Sequence, residues 1–138
     1  MDIQNQKKAY YHSSKTTVYS CQYHVIFATK YRRPVLVDGA DILLKKVIMS
    51  LREDMEFNVI EMEVMPDHVH LLLDINPEIG IKSIVARIKG TTSSVLRKEF
   101  RWLKRRLPCL WTRSKFISTV GSVSLEVVKK YIEDQKGV

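Results

Sequence analysis

From Val18 onward the chain leaves a polar, unpatterned stretch and begins to alternate. Tyr19, Cys21, Tyr23, Val25 and Phe27 interleave with Ser20, Gln22, His24 and Ile26, which predicts a strand with one strongly apolar face and His24 on the other. After a basic loop at 30 to 34, Ile42, Leu43, Lys46, Val47, Ser50 and Leu51 recur at helical spacing, predicting a helix over about 41 to 55 that starts at Asp38 or Asp41. Residues 58 to 65 (NVIEMEVM) set Ile60, Met62 and Val64 against Glu61 and Glu63. Pro66-Asp67 then turns the chain into HVHLLLDI, so this region predicts a hairpin. Pro77 and Glu78 open a second helix with an apolar stripe of Ile81, Ile84, Val85 and Ile88, followed by Val95, Leu96 and Phe100, with Gly90 as the expected bend. A fourth strand is predicted over 115 to 120, and Ser124 is placed to cap a last helix through Leu125, Val128, Tyr131 and Ile132.

The order strand, helix, hairpin, helix, strand, helix predicts an α+β, ferredoxin-like fold. This is the split βαβ, RRM-like arrangement: an antiparallel sheet with its helices on one face, extended here by a C-terminal helix carrying Tyr131. The sheet's other face stays available. With 138 residues there is room for one domain, 1–138, in which 1–16 read as a flexible lead-in and 124–138 as the terminal helix. No internal repeat or low-complexity tract divides it.

Charge narrows the partners. The chain carries 23 Lys and Arg against 15 Asp and Glu, a formal charge of +8 and a pI near 9.6, which predicts attraction to a polyanion. Nucleic acid is the first candidate and an anionic membrane surface the second. No uncharged apolar run approaches the roughly 18 to 20 residues of a membrane span. The N-terminal sequence MDIQNQKKAYYHSSK lacks a signal peptide's apolar stretch, and Cys21 and Cys109 form no disulfide or metal framework, so a reducing, cytoplasmic setting is expected.

Three groups of residues carry candidate chemistry. His68 and His70 are two apart in a predicted strand, so both leave the sheet on one side while Val69, Leu71 and Leu73 enter the core. Such a pair supplies two positions to a metal ion, although a lone His-x-His is about as often a pair of hydrogen-bonding surface residues. Tyr131 and Gln135 stand four apart on the terminal helix and share a face. A phenol of reference pKa about 10 is a weak nucleophile unless a metal withdraws charge from the phosphate it attacks. Taken singly, Tyr131 reads as a packing residue and Gln135 as a solvated amide. Between Arg97 and Arg106 the sequence RKEFRWLKRR holds Arg97, Lys98, Arg101, Lys104, Arg105 and Arg106 with one acid, interleaved with Phe100, Trp102 and Leu103. This mixture suits single-stranded nucleic acid better than an ordinary solvated face, whose signs would be mixed. Lys30, Arg32 and Arg33, within KYRR, form a second and less specific patch.

Together these segments resemble the small single-tyrosine transposases of the HUH superfamily, the IS200-like type carried by minimal insertion sequences with hairpin-bearing ends. The resemblance runs through YHVIFATKYRRPVL (23 to 36), MPDHVHLLLD (65 to 74), IKSIVARIKGTTSSVLRKEF (81 to 100), Leu110-Trp111 and VVKKYIEDQKG (127 to 137), nearly the whole chain in the family's order. The His-hydrophobic-His signature falls on His68, Val69 and His70, the catalytic tyrosine on Tyr131, and the glutamine on Gln135. The resemblance implies that His68, His70 and Gln135 bind Mg²⁺ or Mn²⁺ and that Tyr131 attacks the scissile phosphate of single-stranded DNA, leaving a 5′-phosphotyrosine and a free 3′-OH. It also implies hairpin-bearing DNA ends as substrate, and a homodimer in which sheets join and the tyrosine helix serves the subunit's own site or its partner's.

Imidazole pairs by their own coordination chemistry favour Zn, Mn, Ni or Cu, so Mg²⁺ rests on the resemblance, and Glu61 or Glu63 is an alternative third ligand. Two other readings remain open. One is a non-catalytic ferredoxin-like nucleic-acid-binding module, against which stand histidines where such modules display aromatic residues. The other is a domesticated relative that processes repeats without moving an element.

Overall fold

The computed structural model describes residues 12–13 and 18–120. Strand β1 (His12–Ser13) pairs with β2 (Val18–Tyr19) as a small antiparallel ribbon. The main body runs β3 (Gln22–Ala28), α1 (Ala40–Ser50), α2 (Arg52–Met55), β4 (Phe57–Met65), β5 (His68–Ile75), α3 (Ile81–Glu99), α4 (Arg101–Arg106) and β6 (Phe116–Thr119). Its four strands lie in the order β4-β5-β3-β6, every pairing antiparallel. This is the βαββαβ succession and strand order of a ferredoxin-like sheet.

Alternation decides which face is covered. Val25, Phe27, Val69, Leu71 and Leu73 are fully buried and meet Leu44 and Ile48 of α1 and Ile84, Ile88 and Leu96 of α3 in one core. Both long helices therefore lie on a single face of the sheet. Trp111 closes one end of the core: it meets Phe27 edge-on at 4.7 Å and donates its indole N–H to Thr92 Oγ1 at 3.0 Å. Thr92 in turn donates to the Ile88 carbonyl, so the one buried hydroxyl on this face of α3 is satisfied.

Several local expectations shift for identifiable reasons. The first alternating stretch is two strands, because the chain changes partner between Tyr19 and Gln22: β2 pairs with β1, and β3 with β5 and β6. The first helix starts at Ala40, with neither Asp38 nor Asp41 capping it through a side chain. Gly39 occupies the N-cap at φ 98°, in the left-handed region, and a Cβ there would come within 3.5 Å of the Phe100 ring. The second helix begins only at Ile81, because Asn76 Oδ1 accepts from the Glu78 N–H and holds 76 to 80 in a turn. Gly90 makes no break, since Ile84, Val85, Ile88, Thr92 and Leu96 pack continuously on either side of it. The break comes instead at Phe100, which is extended (φ −110°, ψ 94°) and divides the basic run between α3 and α4. Among the described residues no helix is long and apolar enough to cross a membrane.

Candidate active site on the open face of the sheet

The face opposite the helices carries the other half of each alternation. On β5 these are His68, His70 and Leu72, and on β3 they are His24, Ile26 and Ala28. Antiparallel register places His70 directly between Ile26 and Glu63, and His68 between Ala28 and Met65. A β-bulge between Val59 and Glu61 buries Ile60 and sets the phase that puts Glu61, Glu63 and Met65 on this open side. His68 and His70 are half-buried at the centre of the sheet, side by side, as their spacing predicts.

Each histidine has a defined partner. His68 Nδ1 lies 2.8 Å from Asp67 Oδ1, while Arg32 reaches the other carboxylate oxygen, Oδ2, through Nε and Nη2, both at 3.2 Å. The hydrogen bond from His68, reinforced by Arg32, holds the Asp67 carboxyl below the usual carboxylate range. His70 Nε2 lies 3.0 Å from His24 Nδ1, one ring donating to the other. With ring centroids 5.1 Å apart and planes 18° from parallel, the two imidazoles meet edge to edge. His24 is the residue that sequence reasoning placed on the correct face but did not assign to the site. Its signal was the shared period-two phase with a neighbouring strand, which needs the β3–β5 register to be read.

The donor chemistry fits a divalent ion. Two imidazoles leave the sheet together, and the Asp67 contact takes up Nδ1 of His68 rather than Nε2. Among the described residues no group of three or more His, Cys, Asp or Glu side chains is arranged to hold a metal. Glu61 and Glu63 thus do not complete a ligand set with the histidines, although Glu63 is cross-strand from His70. Tyr131 and Gln135 lie outside the described residues.

The predicted basic residues divide into several settings. Arg32 is engaged by Asp67, and Lys30 places its ammonium 5.1 Å over the Tyr31 ring. Arg33 and Arg106 come from different patches yet line one cleft of about 420 Å³, and Arg106 also covers the Trp102 ring at 5.0 Å. Arg97 donates to the Leu107 carbonyl at 3.0 Å and so ties down the end of α4. It shares a second cleft of about 430 Å³ with Lys98, Arg101, Lys104 and Arg105. These helical residues sit on the covered side of the sheet, away from the histidines.

The chain matches the family model described as "Transposase IS200 like" over residues 17–135, a span that includes His68, His70, Tyr131 and Gln135. It belongs to the IS200-like transposase family. It is 38% identical over 120 residues to the ISDra2 transposase TnpA of Deinococcus radiodurans, covering 86% of each chain. It is also 30% identical over 125 residues to the transposase for insertion sequence element IS200 of Salmonella typhimurium, covering 87% of this chain and 82% of that one. A Deinococcus radiodurans crystal structure, described as that of a candidate transposase, superposes with a TM-score of 0.74 at 34% identity, over 90% of this chain and 97% of that one. A tyrosine transposase bound to a REP hairpin shares the fold, with a TM-score of 0.58 at 16% identity over 89% of this chain and 68% of that one. Membership in the IS200-like family makes this chain a DNA-transposition protein, of a class that cleaves and rejoins DNA.

Proposed function

We propose that the protein is a metal-dependent single-stranded DNA endonuclease and strand transferase acting at hairpin-bearing ends, with Tyr131 as nucleophile and His68, His70 and Gln135 as metal ligands. The observation that carries the reading is the pair His68 and His70 on the uncovered face of the sheet, in a chain whose family match extends through Tyr131 and Gln135. A REP hairpin is the DNA bound by one protein of the same fold, and it supports a hairpin as substrate here.

His68, His70 and Gln135 would hold a divalent ion, Mg²⁺ or Mn²⁺, which would withdraw charge from the scissile phosphate. The Tyr131 phenol gives up its proton, its oxygen bonds to phosphorus, and the bond to the 3′ oxygen breaks. That oxygen takes a proton and leaves as a 3′-OH, while the DNA remains on the protein as a 5′-phosphotyrosine. Reversal with a different 3′-OH rejoins the strand and releases the phenol, with no external energy source, because each step exchanges one phosphodiester for another. The working unit is a homodimer, and β6, an edge strand with Phe116 58% exposed, offers a sheet edge for a second copy.

The DNA's course follows from where the charges stand. Strand held by Lys98, Arg101, Lys104 and Arg105 on the covered side has to round the end of the sheet to reach His68 and His70. The cleft shared by Arg33 and Arg106 marks that end, beside the loop in which Leu36 N–H bonds the Pro66 carbonyl. A labelled single-stranded hairpin incubated with Mn²⁺ is expected to yield a covalent adduct on a denaturing gel, absent with Tyr131→Phe. Tight, metal-independent binding with no adduct would instead establish a non-catalytic module.

A further inference from the structure

The geometry points to Arg32 and Asp67 as positioning residues that fix His68 in a single tautomer, its Nδ1 protonated and its Nε2 lone pair facing the open side of the sheet. The inference rests on the reading of His68 as a metal ligand, and it moves Arg32 from the DNA-contacting patch into the support of the site.

The assignment follows from how the carboxylate is shared. An ionised carboxylate only accepts hydrogen bonds. Arg32 supplies two donors to Oδ2, at 3.2 Å each, so the 2.8 Å contact at Oδ1 has to be an N–H donated by His68 Nδ1. In a neutral ring the lone pair is then on Nε2. His70 has no such determination, because its contact is another imidazole, which donates or accepts equally well.

The backbone around Arg32 is built to hold this arrangement. Tyr31 and Arg32 both adopt left-handed conformations, φ 58° and 52°, which non-glycine residues rarely take up and which persist only where surrounding contacts enforce them. Those contacts are present. Buried Thr29 donates its hydroxyl to the carbonyls of Arg33 (2.7 Å) and Asp67 (3.2 Å), its N–H donates to the Asp67 carbonyl (3.0 Å), and its own carbonyl accepts from Arg32 N–H (3.0 Å). One threonine thus fixes Arg32 and Asp67 relative to each other. A guanidinium meant for phosphate needs no such frame, yet Arg32, with 63% of its side chain exposed, is committed to a carboxylate.

Two measurements test this on the full chain. In the metal-free protein, long-range ¹⁵N–¹H NMR correlations are expected to report the Nδ1–H tautomer at His68, and Asp67→Ala to convert it to a mixture. Mn²⁺ affinity read by electron paramagnetic resonance is expected to fall about 10- to 100-fold in Asp67→Ala, the usual cost of losing an outer partner of a metal-bound histidine. Asp67→Asn, whose amide oxygen still accepts, is expected to retain most of it, which separates positioning from a folding defect. Arg32→Gln is expected to lower Mn²⁺ affinity by less than Asp67→Ala and to leave the salt slope of DNA binding unchanged. A slope reduced by about one unit with unaltered Mn²⁺ affinity would make Arg32 a phosphate contact and overturn the inference. An Nε2–H tautomer in the wild type would also overturn it. Absence of Mn²⁺ binding in the wild type, with the tautomer as expected, would instead overturn the metal-site reading.

Discussion

The same two strands present opposite chemistry on their two faces. Toward the helices, β3 and β5 offer Val25, Phe27, Val69, Leu71 and Leu73, each at most 1% exposed. Toward the open side they offer His24, Ile26, Ala28, His68, His70 and Leu72, at intermediate or greater exposure. Neighbours in sequence therefore stand in unlike surroundings, and on the proposed reading stability and function separate residue by residue along one strand. Adjacent substitutions break or sustain this contrast most directly. Leu71→Ala is expected to lower unfolding free energy by about 2 to 5 kcal/mol, measured by urea denaturation, with Mn²⁺ binding by the folded fraction largely kept. His70→Ala is expected to change stability by no more than about 0.5 kcal/mol, as for an ordinary surface substitution. Its loss of Mn²⁺ affinity should exceed about 100-fold, the upper range for losing an outer partner. Equal stability losses at the two positions would mean that the faces are not separate in function.

What the sequence disclosed follows the same division. Period-two alternation was enough to assign Val69, Leu71 and Leu73 to the core and His68 and His70 to the other face, because parity within a strand needs no partner. Element order was enough for the ferredoxin-like fold, since βαββαβ with short connections leaves few antiparallel arrangements. Whatever depends on register or on loop conformation stayed hidden. His24 approaches His70 only because β3 pairs with β5 so that Ile26 faces His70. Arg32 looked like one more cation in KYRR, since its commitment to Asp67 requires two residues at positive φ that no local pattern announces. Helix starts were misplaced where Gly39 at positive φ and the turn held by Asn76 took the place of the acidic residues nearby.

A second contrast lies within the basic residues, between those free to meet phosphate and those already engaged. Lys104 and Arg105 are exposed on α4, whereas Arg97 is tied to the Leu107 carbonyl. Replacing Lys104 or Arg105 by Gln is expected to reduce the salt slope of single-strand binding by about 0.7 unit for each phosphate no longer neutralised. Arg97→Gln is expected to act on stability instead, by about 0.5 to 1.5 kcal/mol for the missing hydrogen bond, with a smaller change in slope. Titrating hairpin binding between low and moderate salt checks both. A slope change at Arg97 as large as that at Lys104 would show that its guanidinium leaves the carbonyl for DNA.

The smallest effect is expected at His24, where the open face contrasts with itself. Among the described residues Asp67 contacts His68 at Nδ1 and leaves Nε2 uncontacted, whereas His70 Nε2 is hydrogen-bonded to His24 Nδ1. An ion taken up at His70 Nε2 has to displace that hydrogen bond, so His24 opposes loading by the net worth of the contact. For a half-exposed pair this is about 0.5 kcal/mol, the low end for a hydrogen bond, or roughly twofold in affinity. His24→Ala is therefore expected to raise Mn²⁺ affinity about twofold and to lower stability by a similar free energy, read by paramagnetic resonance titration and urea denaturation. A loss of affinity would reverse the sign and make His24 a donor to the ion, with its ring turned so that both nitrogens converge on one centre.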